Sequence, residues 1–109
     1  MKIRDMISKG EPTVSFEIFP PKSSYSLETV FDTLGELKDL HPDFISVTYG
    51  AGGTAQSNTV EIASRIKKDF GIESIAHLTG CTSTKEGMKR TLASIKDSGI
   101  ENILALGGD

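Results

Sequence analysis

The chain has 109 residues, enough for one small domain, and 37% hydrophobic with 25% charged residues is typical of a soluble globular protein. Its formal net charge of −3, without a basic run, gives no attraction to nucleic acid or to an anionic membrane. Cys81 has no second cysteine to pair with, and no Cys/His cluster has zinc spacing, so neither a disulfide nor a metal site is predicted. We therefore expect a reducing, cytoplasmic setting.

Apolar, strand-like runs recur roughly thirty residues apart along the chain, which is the length of a βα unit. They predict strands over residues 13–19, 44–49, 74–79 and 102–107. Stretches with helical periodicity lie between them, over residues 26–40, 58–70 and 84–98. Strict alternation of strand and helix predicts parallel strands.

Local signals suggest where two of these helices end and which side they bury. Asn58 and Glu61 have the spacing of a capping box, and Gly71 fits the residue that follows a last helical turn. In the last helix a buried stripe is expected from Met88, Leu92 and Ile95.

The two faces of each predicted strand differ in polarity. One face carries apolar residues, namely Val14, Phe16 and Ile18, Ile45 and Val47, Ala76 and Leu78, and Leu104 and Leu106. The other face carries small or polar residues, namely Ser15 and Glu17, Ser46 and Thr48, His77 and Thr79, and Ala105, Gly107 and Asp109. A sheet buried on both faces would be apolar throughout. The pattern therefore favours a (βα)8 TIM-type barrel over an open doubly wound sheet.

A complete barrel of this kind needs about 250 residues. The chain ends at Asp109, so residues 1–109 fit only the first three and a half units, the N-terminal part of one catalytic barrel domain. We expect a truncated product. The alternatives are a small open sheet, or a non-catalytic half-barrel whose copies associate as a homo-oligomer.

Candidate site residues lie at the C-terminal ends of all the predicted strands, where parallel α/β folds bind their ligands. They are Glu17, Thr48, Tyr49, His77, Thr79 and Asp109. Glu17 is the most informative, because an acid in an otherwise apolar strand is costly to bury. Its alternative interpretation is a solvated or lysine-paired carboxylate.

The glycine-rich segment after the second strand, from Gly50 to Ala55, formally matches the dinucleotide fingerprint G-x-G-x-x-G/A. That fingerprint expects an acid at the end of the next strand, whereas this chain has His77 to Gly80 there. Close approach of the backbone to a flat or phosphorylated ligand is the preferred interpretation. A small dinucleotide-binding domain remains an alternative.

Four segments together resemble the methylenetetrahydrofolate reductase family. They read SFEIFPPK from Ser15, SVTYGAGG from Ser46, AHLT from Ala76 and NILALGGD from Asn102, in the order and spacing of that family's N-terminal region. The resemblance implies a (βα)8 barrel that carries FAD. It also implies reduction of 5,10-methylenetetrahydrofolate to 5-methyltetrahydrofolate with NADH or NADPH, in one-carbon metabolism and methionine biosynthesis.

The resemblance further implies a role for each matching residue. Glu17 matches the general acid that protonates N10 of the folate, so that an iminium forms at N5 and accepts a hydride. A carboxyl in a partly apolar interior is also expected to hold its proton near neutrality. The family positions that contact flavin or nicotinamide are matched by Thr48, Tyr49, Ala51, His77, Leu106, Gly107, Gly108 and Asp109.

Two of these positions carry further implications. Asp109 matches the aspartate that meets the pterin of the reduced folate and lies near the flavin ring, where its charge disfavours the anionic reduced flavin. At Gly107 the family usually has an arginine that helps to hold FAD, so this chain lacks a cation there.

Overall fold

The computed structural model describes residues 1–21, 26–49, 55–80 and 84–107. The elements in these ranges are α1 (Ile3–Ile7), β1 (Ser15–Ile18), α2 (Leu27–Lys38), β2 (Phe44–Val47), α3 (Ala55–Phe70), β3 (Glu73–Thr79), α4 (Lys85–Asp97) and β4 (Asn102–Leu106). The strands form one sheet in the order β1-β2-β3-β4, and every neighbouring pair is parallel. The predicted parallel α/β class is confirmed. The open sheet is the arrangement expected of the first units of a (βα)8 barrel.

The ends of the helices differ in part from the sequence-based expectation. The capping box at Asn58 is wrong, because α3 already begins at Ala55 and Asn58 lies inside it. Alanine and glutamine at positions 55 and 56 favour helix, so nothing stops the first turn from extending there. Gly71 does end the helix, with the positive φ of 67° that glycine adopts without strain.

The hydrophobic core lies between the helices and one face of the sheet. Its fully buried members include Leu34 from α2, Ile62 and Ile66 from α3, and Ile45 and Val47 from β2. Burial of such side chains is the main favourable contribution to folding.

Helix α4 contributes to this core with a different stripe from the one expected. Ile95 is buried as predicted, but Leu92 is 40% exposed and Thr91 is buried instead. Residues 91 and 95 are one turn apart and therefore point to the same side of the helix. The assignment of Leu92 to the core is wrong.

The pairing register corrects the faces assigned to β4. Residues paired across parallel strands share a face, and His77 pairs with Leu104 while Thr79 pairs with Leu106. Leu104 and Leu106 therefore lie with the polar residues, on the face away from the core, and their assignment to the helix-covered face is wrong. Residues 103–106 are apolar or small on both faces, so their pattern cannot reveal the phase of the strand.

A polar cluster at the N-terminal ends of β3 and β4 sets that phase and holds α1. The Asn102 side chain accepts a hydrogen bond from the Ile3 N–H at 2.9 Å and donates to Glu73 at 3.2 Å. Lys67 contacts Glu73 at 3.2 Å and Glu101 at 2.8 Å, and the Met1 ammonium group contacts Glu73 at 2.8 Å. No helix in the described ranges has both the length and the apolar character needed to cross a membrane.

Burial of Leu34 predicts a large stability difference between two leucine truncations. Leu34 is fully buried, so Leu34→Ala should lower the free energy of unfolding by about 2–5 kcal/mol. Leu92 is 40% exposed, and Leu92→Ala, the matched control in another helix, should cost less than about 1 kcal/mol. Urea denaturation followed by circular dichroism measures both. Equal losses would show that the core is not where the structure places it.

The Lys67 cluster predicts a pH-dependent contribution from Glu101. The hydrogen bond and charge of Lys67 lower the pKa of Glu101 below its usual value of 4.5. Because this folded-state pKa is depressed, the stabilisation is present above pH 4.5 and is lost as the pH falls through the folded-state pKa. Glu101→Gln should therefore lower the melting temperature slightly at pH 7 and leave it unchanged under strongly acidic conditions.

The control for this variant is Glu36→Gln, which removes an exposed carboxylate that makes no ion pair within the described ranges. Glu36→Gln should change the melting temperature little at either pH. If Glu101→Gln lowers the melting temperature equally in acid and at neutral pH, the ion pairs of Glu101 do not stabilise the fold.

Candidate functional site

The face of the sheet that is turned away from the hydrophobic core is called the open face here. It brings together three polar side chains from consecutive strands. Glu17 on β1 pairs in register with Ser46 on β2, and His77 lies further along β3 on the same face. The Ser46 hydroxyl donates to Glu17 Oε1 at 3.4 Å, and His77 Nε2 lies 3.5 Å from the same oxygen. Glu17 thus faces away from the helices, as the site hypothesis requires.

The two titratable groups of this cluster differ in burial. The Glu17 side chain is 50% exposed, whereas His77 is 8% exposed. The described strands therefore do not provide the apolar enclosure expected around Glu17. An open carboxyl on this face is instead accessible to a ligand that approaches the sheet.

His77 has an unsatisfied polar atom in this site. Its Nε2 is buried and has no hydrogen-bond partner within the described ranges, since the contact with Glu17 lies within ion-pair distance but lacks hydrogen-bond geometry. Leaving a buried polar atom unpaired costs about 1–3 kcal/mol. A polar atom of a bound ligand would satisfy it, so the position of His77 fits a binding residue.

An exposed apolar surface adjoins His77 on the same face. Leu104 and Leu106 are 43% and 40% exposed and pair in register with His77 and Thr79. Apolar side chains beside a few polar groups are typical of sites that bind flat ring systems. The corrected phase of β4 therefore places Leu104 and Leu106 on the same face as Glu17 and His77.

The end of β2 is held rigidly on both sides of Thr48. The Thr48 N–H donates to the Ile18 carbonyl at 2.9 Å, and the Thr48 carbonyl accepts from Thr59 Oγ1 at 2.9 Å. Thr59 is only 1% exposed. This pair of bonds fixes the backbone that leads into Tyr49, next to the glycine-rich segment.

Several predicted site residues cannot be placed. Ala51, with the rest of residues 50–54, and Gly108 and Asp109 lie outside the described ranges. Gly107 is described, and a Cβ at this position would meet nothing within 4 Å among its surroundings. A side chain at this position would therefore meet no steric conflict at its first atom.

Sequence reasoning missed two residues that support this site. Ser46 lies on the predicted polar face, but its position in the sequence does not identify it as the hydrogen-bond partner of Glu17. Thr59 gave no signal, because a threonine within a helical pattern does not reveal which carbonyl it contacts.

Comparison with known proteins identifies both a family model and individual relatives. The family model described as methylenetetrahydrofolate reductase matches residues 2–109. Methylenetetrahydrofolate reductase (NADH) 1 of Arabidopsis thaliana is 38% identical over 108 residues, covering 99% of this chain and 18% of the plant protein. The 5,10-methylenetetrahydrofolate reductase of Pectobacterium carotovorum is 39% identical over 101 residues, covering 93% of this chain and 34% of that protein.

The Escherichia coli (strain K12) enzyme of the same name is 37% identical over 101 residues, again 93% of this chain and 34% of the relative. The chain therefore spans about a fifth to a third of the length of these relatives. The match nevertheless runs through β1 to β4, so the resemblance of the four segments is confirmed, and the chain belongs to the methylenetetrahydrofolate reductase family.

Proposed function

We propose that this chain forms the N-terminal part of a flavin-dependent enzyme that reduces 5,10-methylenetetrahydrofolate to 5-methyltetrahydrofolate with NADH or NADPH. The observation that carries the proposal is the position of Glu17, a carboxyl on the open face of a parallel sheet beside the unsatisfied His77 Nε2. Family membership supports the oxidoreductase class and the folate substrate. The single cysteine and a net charge of −3 suit a cytoplasmic enzyme without nucleic-acid or membrane partners.

Glu17 is proposed as the general acid of this reaction. The overall reduction consumes one proton and one hydride, and a carboxyl near N10 of the folate can supply the proton. Protonation of N10 weakens its bond to the bridging methylene carbon, so that the ring opens and an electrophilic iminium remains at N5. The partial exposure of Glu17 on the open face allows the substrate to reach this carboxyl.

The remaining residues of the site are proposed to hold the cofactor and the nicotinamide. When bound, FAD supplies the hydride that it has received from NADH or NADPH. His77 Nε2 would bond a polar atom of this group, Leu106 would contact its ring, and the fixed backbone at Thr48 and Tyr49 would border the nicotinamide. Ala51, Gly108 and Asp109 keep their proposed roles as cofactor contacts, with Asp109 also meeting the substrate.

Replacement of Glu17 tests the acid role in the intact enzyme. Glu17→Gln keeps the size and polarity of the side chain but removes its dissociable proton. FAD content and the rate of flavin reduction by NAD(P)H should stay close to wild type. Reoxidation of the flavin by the folate should slow by about 10²-fold or more, since general acids typically contribute that much.

Stopped-flow absorbance of the flavin separates these two half-reactions, and Glu36→Gln, an exposed change on α2, serves as the control. Folate turnover at the wild-type rate in Glu17→Gln would remove this residue from the acid role.

Gly107 offers a test of cofactor binding by the chain itself. The isolated chain should bind FAD poorly, because it corresponds to at most about a third of its bacterial relatives and lacks the arginine at this position. Gly107→Arg, whose Cβ would meet no neighbouring atom within 4 Å, should strengthen binding about tenfold through charge-assisted bonds to the cofactor. Flavin fluorescence titration measures the affinity.

Gly35→Arg is the matched control, since it adds the same charge at an open position on α2. Micromolar FAD binding by the unaltered chain, or equal gains from both arginines, would contradict the prediction.

A further inference from the structure

We propose that Ser46 is a positioning residue that holds Oε1 of Glu17 and so leaves Oε2 to carry the transferred proton. The proposal rests on the acid role of Glu17 given above and adds a residue to it. It follows from the pairing of Ser46 with Glu17 in adjacent strands, which fixes their side chains on one face at one level of the sheet.

The contacts of Glu17 are distributed unevenly between its two oxygens. The Ser46 hydroxyl donates to Oε1 at 3.4 Å, and His77 Nε2 lies 3.5 Å from that same atom. Within the described ranges no hydrogen bond or ion pair involves Oε2. An oxygen that already accepts from a hydroxyl is the poorer place for the acidic proton, because the O–H oxygen of a protonated carboxyl is a weaker hydrogen-bond acceptor than its carbonyl oxygen. The proton therefore belongs on Oε2.

A half-exposed glutamate needs such a contact to stay in one conformation. Its side chain has several rotatable bonds, and half of its surface meets water, so packing alone does not fix it. Ser46 is short, and β2 is paired with a strand on each side, so the sheet itself fixes the position of the Ser46 Cβ. Catalytic hydrogen bonds of this length commonly tighten when the substrate binds.

The chain labelled with ¹³C-glutamate tests the contact by nuclear magnetic resonance, with Glu17→Gln identifying the Glu17 signals. Three-bond couplings should show one dominant χ1 conformer for Glu17 in the wild type. Ser46→Ala should replace it by an average over several conformers and should shift the Glu17 Cδ resonance. Ser46→Thr, which keeps the hydroxyl, should restore the wild-type conformer.

Two controls separate positioning from a general effect on the fold. Ser15→Ala removes a hydroxyl from the same face that makes no hydrogen bond in the described part of the chain, and it should leave the Glu17 couplings unchanged. The melting temperature of Ser46→Ala should match that of the wild type. An unchanged Glu17 conformer in Ser46→Ala, or equal losses in the alanine and threonine variants, would overturn the proposal.

An activity measurement in the intact enzyme distinguishes failure of this proposal from failure of the acid role. Ser46→Ala should slow the folate half-reaction about tenfold, the factor expected for one lost hydrogen bond, and leave flavin reduction unchanged. If Glu17→Gln slows the folate step but Ser46→Ala does not, Ser46 is not a positioning residue. If Glu17→Gln has no effect, the acid role itself is wrong, even if Ser46 still orders the Glu17 side chain.

Discussion

The packing of α2, α3 and α4 against one face of a parallel sheet is the constraint on which this structure depends. Fully buried residues such as Ile45 and Val47 alternate with half-buried Phe44 and Ser46 along β2, so a single strand serves both the core and the site. The opposite face is exposed at Glu17, Leu104 and Leu106, and the parallel direction brings the C-terminal ends of all four strands to one edge. Glu17 and His77 meet there without either strand departing from regular geometry.

The two ends of β4 are coupled through the two-residue period of the strand. At its N-terminal end the Asn102 side chain bonds to α1 and Glu73, which fixes the face on which Asn102 lies. Every second residue must then share that face, so Leu104 and Leu106 reach the open side next to His77. The hydrogen bonds of Asn102 thus determine which β4 side chains lie at the surface of the candidate site. The Asn102 cluster and the candidate site lie at opposite ends of the sheet but depend on one register.

Features that follow from the periodicity of the sequence are predicted correctly. Features for which the residues suit more than one local arrangement are not. The order and direction of the strands follow from the repeated βα pattern, and the orientation of Glu17 away from the helices follows from its alternation with Phe16 and Ile18. The phase of β4 could not be read from residues 103–106, because leucine, isoleucine and alanine suit either face. Contacts such as that of Thr59 with the Thr48 carbonyl join segments that only the folded chain brings together.

The exposure of Glu17 has a physical consequence for how an acid could operate at this position. A carboxyl that is half in water is open to solvent, and this exposure does not by itself direct a proton to a substrate. A ring system lying over Leu104 and Leu106 would displace water from the same face and strengthen every electrostatic contact beneath it. On the proposed function, the bound ligand therefore completes the apolar surroundings that the strands leave open. The contact of Ser46 with Glu17 Oε1 then determines which oxygen of Glu17 faces the ligand.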